Sequence, residues 1–172
     1  MRDVLTSCQE ILQQASDLLQ QLTDAQYTRP GEPYRSSIGQ HIRHVLDHFQ
    51  ALHAALDTGI VNYDLRHRGN PVERNRRSGL AELQAVKDWL PGVASEQLSR
   101  PVAVQTEISV SDAHSVRVES SLVRELVFAA SHAVHHYAVI TMLARQQGVA
   151  PADDFGLAPA TATFLRTAVR GG

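Results

Sequence analysis

The chain has 172 residues, of which 43% are hydrophobic and 20% are charged, a balance typical of a soluble domain with a packed core. Its 16 Lys and Arg residues against 18 Asp and Glu residues give a formal net charge of -2, so no strong positive field is available to bind nucleic acid. The first residues contain no long apolar run, and we therefore expect neither a signal peptide nor a membrane-spanning segment there. The single cysteine, Cys8, excludes an intrachain disulfide and favours a reducing compartment. We therefore predict a cytoplasmic protein with no membrane partner and no nucleic-acid partner.

Two amphipathic helices are predicted in the first third of the chain. In residues 3–23 the apolar side chains recur at alternating steps of four and three, which is the period of one helix face. The pattern is then broken by Asp24, Pro30, Gly31 and Pro33. A second helix should begin near Ser36–Ser37, because Ser37 followed three places later by Gln40 fits a capping box, and Gly59 is a natural end.

Residues 60–77 show no clear period and are predicted to be irregular. Their arginines are Arg66, Arg68, Arg74, Arg76 and Arg77. One interpretation is a solvated loop. The other is an arginine-bearing flap that meets an anionic substrate. In either case the stretch is too long for a tight helical turn and is long enough to cross a bundle.

The second half of the chain predicts two further long helices. A third helix fits residues 78–90, and the longest should run over 120–147. Between them, residues 101–118 alternate apolar and polar side chains, which indicates a short β-hairpin that turns near Ser111–His114. A short helix is predicted at 160–169.

These elements predict a single domain over residues 1–172. We expect the all-α class: a four-helix bundle with a long crossover between helices 2 and 3 and a short β-hairpin before the last long helix.

Nine histidines make this sequence unusual, and six of them fall in two short windows. The strongest local motif is His132-Ala-Val-His135-His136 on the last predicted helix. His132 and His136 are four residues apart, so their side chains lie one turn apart on the same face. Such a pair can bind one metal ion from a rigid platform, whereas His135 points about 100° away from His136. Two surface histidines at the edge of a bundle are the alternative interpretation of this pair.

The second window gives His41, His44 and His48 on the second predicted helix. Counting about 100° per residue, His41 and His48 flank the apolar stripe and His44 lies further round. This count favours His41 or His48 as a third ligand. It leaves the choice open, because one sequence does not fix the rotation of the helix.

Three neutral imidazoles fit a site of the catalytic type better than a closed structural site, since structural zinc usually has four protein ligands. At least one coordination position would then be open to water or substrate, and a metal held in this way acts as a Lewis acid. We expect a divalent ion. Zinc, nickel, iron(II), cobalt and manganese all remain candidates, because the ligand type does not separate them.

Two stretches resemble the motifs of a known family. Ser37-Ile38-Gly39-Gln40-His41-Ile42-Arg43-His44-Val45-Leu46-Asp47 resembles the second-helix motif of the DinB/YfiT-like superfamily, and Ser131-His132-Ala133-Val134-His135-His136 resembles that family's HxxxH motif on the late helix. Their order and spacing match across roughly residues 3–148. The resemblance implies a four-helix bundle with a crossover, often a homodimer.

The resemblance also implies a ligand set. It aligns the three metal ligands with His44, His132 and His136, and leaves His48 and His41 as reserves. Many relatives have Arg-Gly-Gln directly after the last ligand, where this chain has Tyr137-Ala138-Val139. That departure puts any carry-over of substrate contacts in doubt.

Two carboxylates are candidates for roles beside the metal. Asp47 is one turn from His44, and Glu125 is seven residues before His132. Either could accept a hydrogen bond from an imidazole N–H or act as a catalytic base. Ordinary surface carboxylates are the alternative interpretation.

Members of the superfamily include thiol-dependent S-transferases, a thiol-dependent isomerase and proteins assigned as metal-dependent hydrolases. The resemblance therefore favours an enzyme whose metal activates a low-molecular-weight thiol for attack on a small electrophilic substrate. Metal-assisted hydrolysis is the second hypothesis. A stress-related metal-binding dimer without turnover is the third, and a site closed by His41 or His48 as a fourth ligand would favour it. A helical domain without metal is the fourth.

Overall fold

The computed structural model describes residues 2–32 and 35–170, which form a mostly helical fold with a small three-stranded sheet. The helices are α1 (Arg2–Gln21), α2 (Asp24–Thr28), α3 (Ile38–Thr58), α4 (Pro71–Arg74), α5 (Arg76–Trp89), α6 (Ser95–Leu98), α7 (Leu122–Gln146) and α8 (Pro159–Arg170), and a 3-10 turn over Leu90–Gly92 follows α5. The strands are β1 (Ile60–Asn62), β2 (Pro101–Glu107) and β3 (Ser115–Ser121). Pro33, at the predicted break after the first helix, lies outside the described residues.

The long helices α1, α3, α5 and α7 enclose the apolar core. α1 contacts α5 and α7, and α3 contacts the same two helices, so the contacts form a closed ring. Leu12, Phe49, Leu83 and Ile140, one from each helix, are completely buried in its centre. Burial of one such side chain contributes about 1.5–3 kcal/mol, so this core is the main source of stability.

The long helices that the sequence predicts are present. Their periodicity gave 3–23, 78–90 and 120–147, and the structure has Arg2–Gln21, Arg76–Trp89 and Leu122–Gln146. The short helix predicted at 160–169 is α8, over Pro159–Arg170. The mostly helical class is therefore confirmed, with a sheet that is larger than the predicted hairpin.

Helix α3 carries the first group of histidines, and its two ends are fixed as predicted. The Ser37 side chain accepts from the backbone N–H of Gln40, and the Gln40 side chain accepts from the backbone N–H of Ser37, which completes the capping box. At the other end Gly59 adopts a φ of 70°, a left-handed conformation that favours glycine.

Gly39 marks the closest approach between α3 and α4. A Cβ atom at this position would lie 2.3 Å from the carbonyl oxygen of Glu73 and 2.8 Å from Cε1 of Tyr27. Because the nearer atom belongs to the backbone of α4, we expect Gly39→Ala to lower the free energy of unfolding by about 1–3 kcal/mol in urea denaturation. Gly92→Ala is the matched control, since no atom lies within 4 Å of its added Cβ. Equal unfolding midpoints for the two variants would contradict this close packing.

The predicted hairpin forms two of the three strands of the sheet, β2 in the centre and β3 at one edge. Strands β2 and β3 pair antiparallel, with Val104 opposite Val118. Strand β1, which was not predicted from the sequence, pairs with β2 in parallel, with Val61 opposite Val104. A run of three residues is too short to show an alternating pattern.

The prediction of an irregular stretch over 60–77 is partly wrong. It begins with β1, and it ends with α4 and the first turn of α5. Asn70 caps α4 and Asn75 caps α5, and Pro71 occupies the first turn of α4, all of which are helix-start signals. The irregular part is confined to residues 63–70, which run from the sheet past α3 to α4.

Among the described helices, α7 alone is long and apolar enough to cross a membrane by length and composition. Its apolar stripe lies in the core, with Leu126, Ala133 and Ile140 completely buried. A core helix of a soluble protein passes the same test, so this is weak evidence for a membrane span.

Candidate metal centre

Three histidines from two helices converge at the contact between α3 and α7. His132 and His136 lie one turn apart on α7, and their Nε2 atoms are 3.1 Å apart. His44 reaches them from α3, with its Nε2 atom 3.0 Å from that of His132. One nitrogen from each ring can be chosen so that all three atoms lie within 4.8 Å of one another. All three side chains are half-buried, so each remains partly accessible to solvent.

His41 and His48, the two histidines that the helical count favoured, flank this cluster. His41 Nδ1 lies 2.9 Å from His136 Nδ1, and its Nε2 lies 2.9 Å from the Ser36 hydroxyl. His48 Nδ1 lies 2.9 Å from the carbonyl oxygen of His44, to which it donates a hydrogen bond. The structure therefore brings His44 to the α7 pair, as the family resemblance implied. His135 is exposed and lies outside the group.

Counting about 100° per residue favoured His41 or His48 instead of His44. The difference arises because the cluster lies at the edge of the contact between α3 and α7. The centre of the apolar stripe of α3, at Val45 and Phe49, is buried in the core. A histidine further round than the flank of the stripe can still extend along this edge and reach α7. His44 does so, whereas the buried His48 packs its ring against that of His132, with centroids 4.3 Å apart.

The environment keeps these imidazoles neutral. Burial, followed by the neighbouring imidazoles and the Arg66 guanidinium, lowers the pKa of His44 to about 2. Burial and the adjacent rings lower the pKa of His132 to about 4 and that of His136 to about 3. Neutral imidazole is the form that binds a metal ion, so at pH 7 no proton has to be displaced from the cluster.

The separations between the nitrogen atoms fit one metal ion. Metal–imidazole bonds of about 2.0–2.1 Å place neighbouring ligand atoms about 2.9–3.4 Å apart for angles between about 90° and 109°. The two Nε2 separations, 3.0 and 3.1 Å, lie in that range. The donor set of three neutral nitrogens is also one that divalent transition metals accept.

Sequence comparison assigns the chain to a family on nearly its whole length. The DinB family matches residues 2–163. This chain belongs to the DinB family. A further match is a protein from Rhizopus delemar described as FK506-binding protein 5, which is 31% identical over 107 residues. The aligned region covers 62% of this chain and only 28% of that curated relative. No solved structure matches the chain.

The crossing loop of this DinB-family chain brings Arg66 to the cluster. Its Nη1 atom contacts Nδ1 of His44 and lies 3.3 Å from Nε2 of the same ring. Arg76, another of the five arginines, binds Asp24 at 2.9 Å and has a structural role instead. The five arginines of residues 60–77 were predicted as one group, and no feature of the sequence alone distinguishes Arg66 from the others.

Asp47 and Glu125 do not contact the three histidines in the way that the sequence suggested. Asp47 is buried, with one oxygen 2.6 Å from Arg43 and the other 2.9 Å from Nδ1 of His67. Glu125 is also buried, and its oxygens accept hydrogen bonds from Tyr63, Ser120 and Arg124. The carboxylates therefore belong to two separate networks beside the cluster, and because both are buried, the interpretation as ordinary surface groups is wrong.

Aromatic rings that were not predicted from the sequence lie around the cluster. Phe128 lies one turn before His132, with ring centroids 5.8 Å apart, and Tyr63 packs against both Phe128 and His48. Because Phe128 and His132 are four residues apart on a predicted helix, their contact could have been predicted from the sequence. Tyr63 lies in the crossing loop, and nothing in its local sequence indicates this long-range contact.

The residue after the last ligand of the DinB motif faces away from the cluster. Tyr137 is completely buried and stacks on Phe155, with ring centroids 4.8 Å apart. Within the described part of the chain its hydroxyl has no hydrogen-bond partner. The departure from Arg-Gly-Gln therefore affects the core on this side of α7, and it leaves the three histidines in place.

Proposed function

We propose that this DinB-family chain binds one divalent metal ion through His44, His132 and His136 and uses it to activate a thiol for attack on a small electrophile. The observation that carries the proposal is the convergence of three neutral imidazoles, with Nε2 separations of 3.0 and 3.1 Å. Zinc, nickel, iron(II) and manganese are all candidates for the native ion. The bound ion would supply Lewis-acid activation, which lowers the pKa of a coordinated thiol or water.

The residues of the chain hold the ligands in place and shape the entrance. His41 supports the ring of His136, and the backbone hydrogen bond of His48 fixes its own ring against His132. Phe128 covers one face of His132 and provides an apolar wall. In the proposed reaction a C–S bond forms between thiol and electrophile, the thiol proton goes to the solvent, and the leaving group departs with its bonding electrons.

Two observations support thiol transfer over the other hypotheses. The hydrolysis hypothesis gave the role of base to Asp47 or Glu125, and both are engaged by other side chains. A closed storage site needs a fourth protein ligand. Neither His41 nor His48 belongs to the group of nitrogens that lie within 4.8 Å of one another, and both nitrogens of His41 face Ser36 and His136.

Four further features belong to the same proposal. We infer that the four long helices form the four-helix bundle of the family with a long crossover between α3 and α5, and that residues 1–172 are one domain. We also propose a cytoplasmic location and a homodimer. Exposed apolar side chains on α7 and α8, among them Met142 and Phe164, support a partner surface on these helices.

The test is the metal content of protein purified without an affinity tag. We expect about one ion per chain in the wild type and its loss in His44→Ala, His132→Ala and His136→Ala, because two remaining imidazoles bind weakly. His135→Ala is the matched control on the same helix, and it should keep the ion. Metal-free wild type that takes up none of the candidate ions would contradict the site. Metal-loaded protein that consumes no thiol across a panel of thiols and electrophiles would contradict the activity alone.

A further inference from the structure

Arg66 places a half-buried positive charge at the entrance to the three-histidine cluster. Its guanidinium contacts the His44 ring, with Nη1 3.3 Å from Nε2. The guanidinium is held there by residues 63–70, the irregular part of the crossing loop. Arg68, two residues further along the same loop, is exposed to solvent.

Within residues 2–32 and 35–170, no carboxylate lies within ion-pair distance of Arg66. The nearby acids have other partners. The oxygens of Asp47 pair with Arg43 and His67. The oxygens of Asp64 accept hydrogen bonds from the Glu107 backbone N–H and the Ser115 hydroxyl. Asp47 and Asp64 attract Arg66 only from beyond ion-pair distance, and a half-buried cation without a paired carboxylate is costly, so this position favours an anion supplied from outside the chain.

The protonation of a metal-bound His44 ring also favours an external anion at Arg66. If Nε2 binds a metal ion, Nδ1 of the neutral ring keeps its proton and is a donor. The guanidinium of Arg66 has only donors, so the two groups cannot then form a hydrogen bond with each other. Arg66 is left with free N–H groups beside a divalent cation, and an anionic oxygen at the open coordination side would satisfy both charges.

We propose that Arg66 binds a carboxylate group of the substrate, so that the site selects anionic substrates over neutral ones. The inference rests on the proposed metal site, and it adds the substrate class. The carboxylate belongs either to the electrophile or to the thiol, and the chemistry at Arg66 is the same in both cases.

The test uses protein loaded with cobalt(II), whose visible spectrum reports ligands that enter the open position. Acetate is the carboxylate probe, 2-mercaptoethanol is the neutral thiol and 3-mercaptopropionate carries both groups. We expect Arg66→Gln to weaken acetate binding about tenfold or more, while 2-mercaptoethanol binding changes by less than about twofold. The acetate affinity of Arg66→Lys should lie between those of Arg66→Gln and the wild type, because lysine keeps the positive charge but lacks the planar guanidinium. Arg68→Gln is the control and should match the wild type.

Binding of 3-mercaptopropionate, the thiol that also carries a carboxylate, shows which of the two substrates supplies the carboxylate. A parallel loss of 3-mercaptopropionate binding in Arg66→Gln assigns the carboxylate to the thiol, and unchanged binding assigns it to the electrophile. Equal acetate affinity in Arg66→Gln and wild type, at equal cobalt content, overturns the inference and leaves the metal site standing. Wild type that binds cobalt(II) without any spectral response to acetate overturns it too. Wild type that binds no cobalt(II) overturns both the metal site and the inference.

Discussion

Replacing Glu125 with alanine is expected to lower the free energy of unfolding by about 1–3 kcal/mol, or roughly 2–12 °C in melting temperature, since the Arg124 cation left behind is mostly exposed. Glu125 is completely buried in the first turn of α7. Its Oε2 accepts a hydrogen bond from the Tyr63 hydroxyl at 2.8 Å, and its Oε1 accepts from the Ser120 hydroxyl and the Arg124 guanidinium, each at 2.6 Å. The variant removes the acceptor for all three donors, and the buried Tyr63 hydroxyl loses a partner that water does not easily replace.

Urea denaturation of metal-free protein measures this effect. Glu119→Ala, at an exposed position on β3, is the matched control and should change the free energy of unfolding by less than about 0.5 kcal/mol. Glu125→Gln should lose less than the alanine variant, because it keeps the shape of the side chain and one acceptor oxygen. A Glu125→Ala protein that unfolds at the wild-type urea concentration would show that this network contributes nothing to stability.

The same variant separates two roles for Glu125. The Tyr63 ring packs 4.9 Å from His48 and 5.5 Å from Phe128, and both of these rings pack against His132. Glu125 therefore acts on the cluster through Tyr63, and we expect a loss of stability together with a modest loss of metal affinity. A catalytic base would instead lower turnover and leave the melting temperature of the metal-free protein unchanged.

The helices could be predicted from the sequence because their signals are local. The apolar period of α1, α3, α5 and α7 is repeated over several turns, and the capping box at Ser37 and Gln40 and the glycine at 59 mark the two ends of α3. The short elements β1, α2 and α4 give too few residues for a period. Their helix caps could have indicated α2 and α4. Thr23 precedes α2 and forms a capping box with Gln26 inside it, and Asn70 precedes Pro71, the first residue of α4.

The candidate site could be predicted only in part. The i, i+4 spacing of His132 and His136 follows from helix geometry alone, and the structure brings the pair together as expected. The choice of His44 came from the resemblance to the family, because rotation of α3 against α7 depends on the packing of the whole core. Arg66 and Tyr63 reach the cluster from an irregular loop, whose path is set by contacts with distant residues.

Metal-free protein is expected to lose stability steeply as the pH falls below about 6.5. Burial is the largest cause that lowers the pKa values of His44, His132 and His136, to about 2, 4 and 3. In the unfolded chain these imidazoles have a pKa near 6.5. Between the two values the unfolded state binds more protons than the folded state, so the free energy of unfolding rises with pH.

The lowered pKa values of the three histidines define the pH range over which stability is lost. The stabilisation is fully present above about pH 6.5, and it is lost as the pH falls from there toward the folded pKa values. Each imidazole contributes a slope of at most about 1.4 kcal/mol per pH unit, which gives at most about 4 kcal/mol per unit for the cluster. Solvent screening of half-buried groups reduces this limit, and we expect a loss on the order of 3 kcal/mol between pH 6.5 and pH 5. That is a large share of a typical total stability of about 5–15 kcal/mol.

Urea unfolding at a series of pH values from 7.5 to 5, after treatment with a chelator, measures the slope. Carboxylates also titrate below pH 6, but they are common to the wild type and to His44→Ala, so the difference in slope between these two proteins isolates the contribution of His44. We expect a shallower slope in His44→Ala. The wild-type slope should be retained in His114→Ala, an exposed position between β2 and β3.

Equal slopes in His44→Ala and wild type would contradict a cluster held neutral by burial. A confirmed difference has a consequence for the metal. Because the folded imidazoles stay neutral below pH 6.5, their competition with protons is weak, and the rise in melting temperature on adding zinc should persist at pH 5.5. Three solvent-exposed histidines would lose most of their zinc affinity over the same interval, since each would be protonated near pH 6.5.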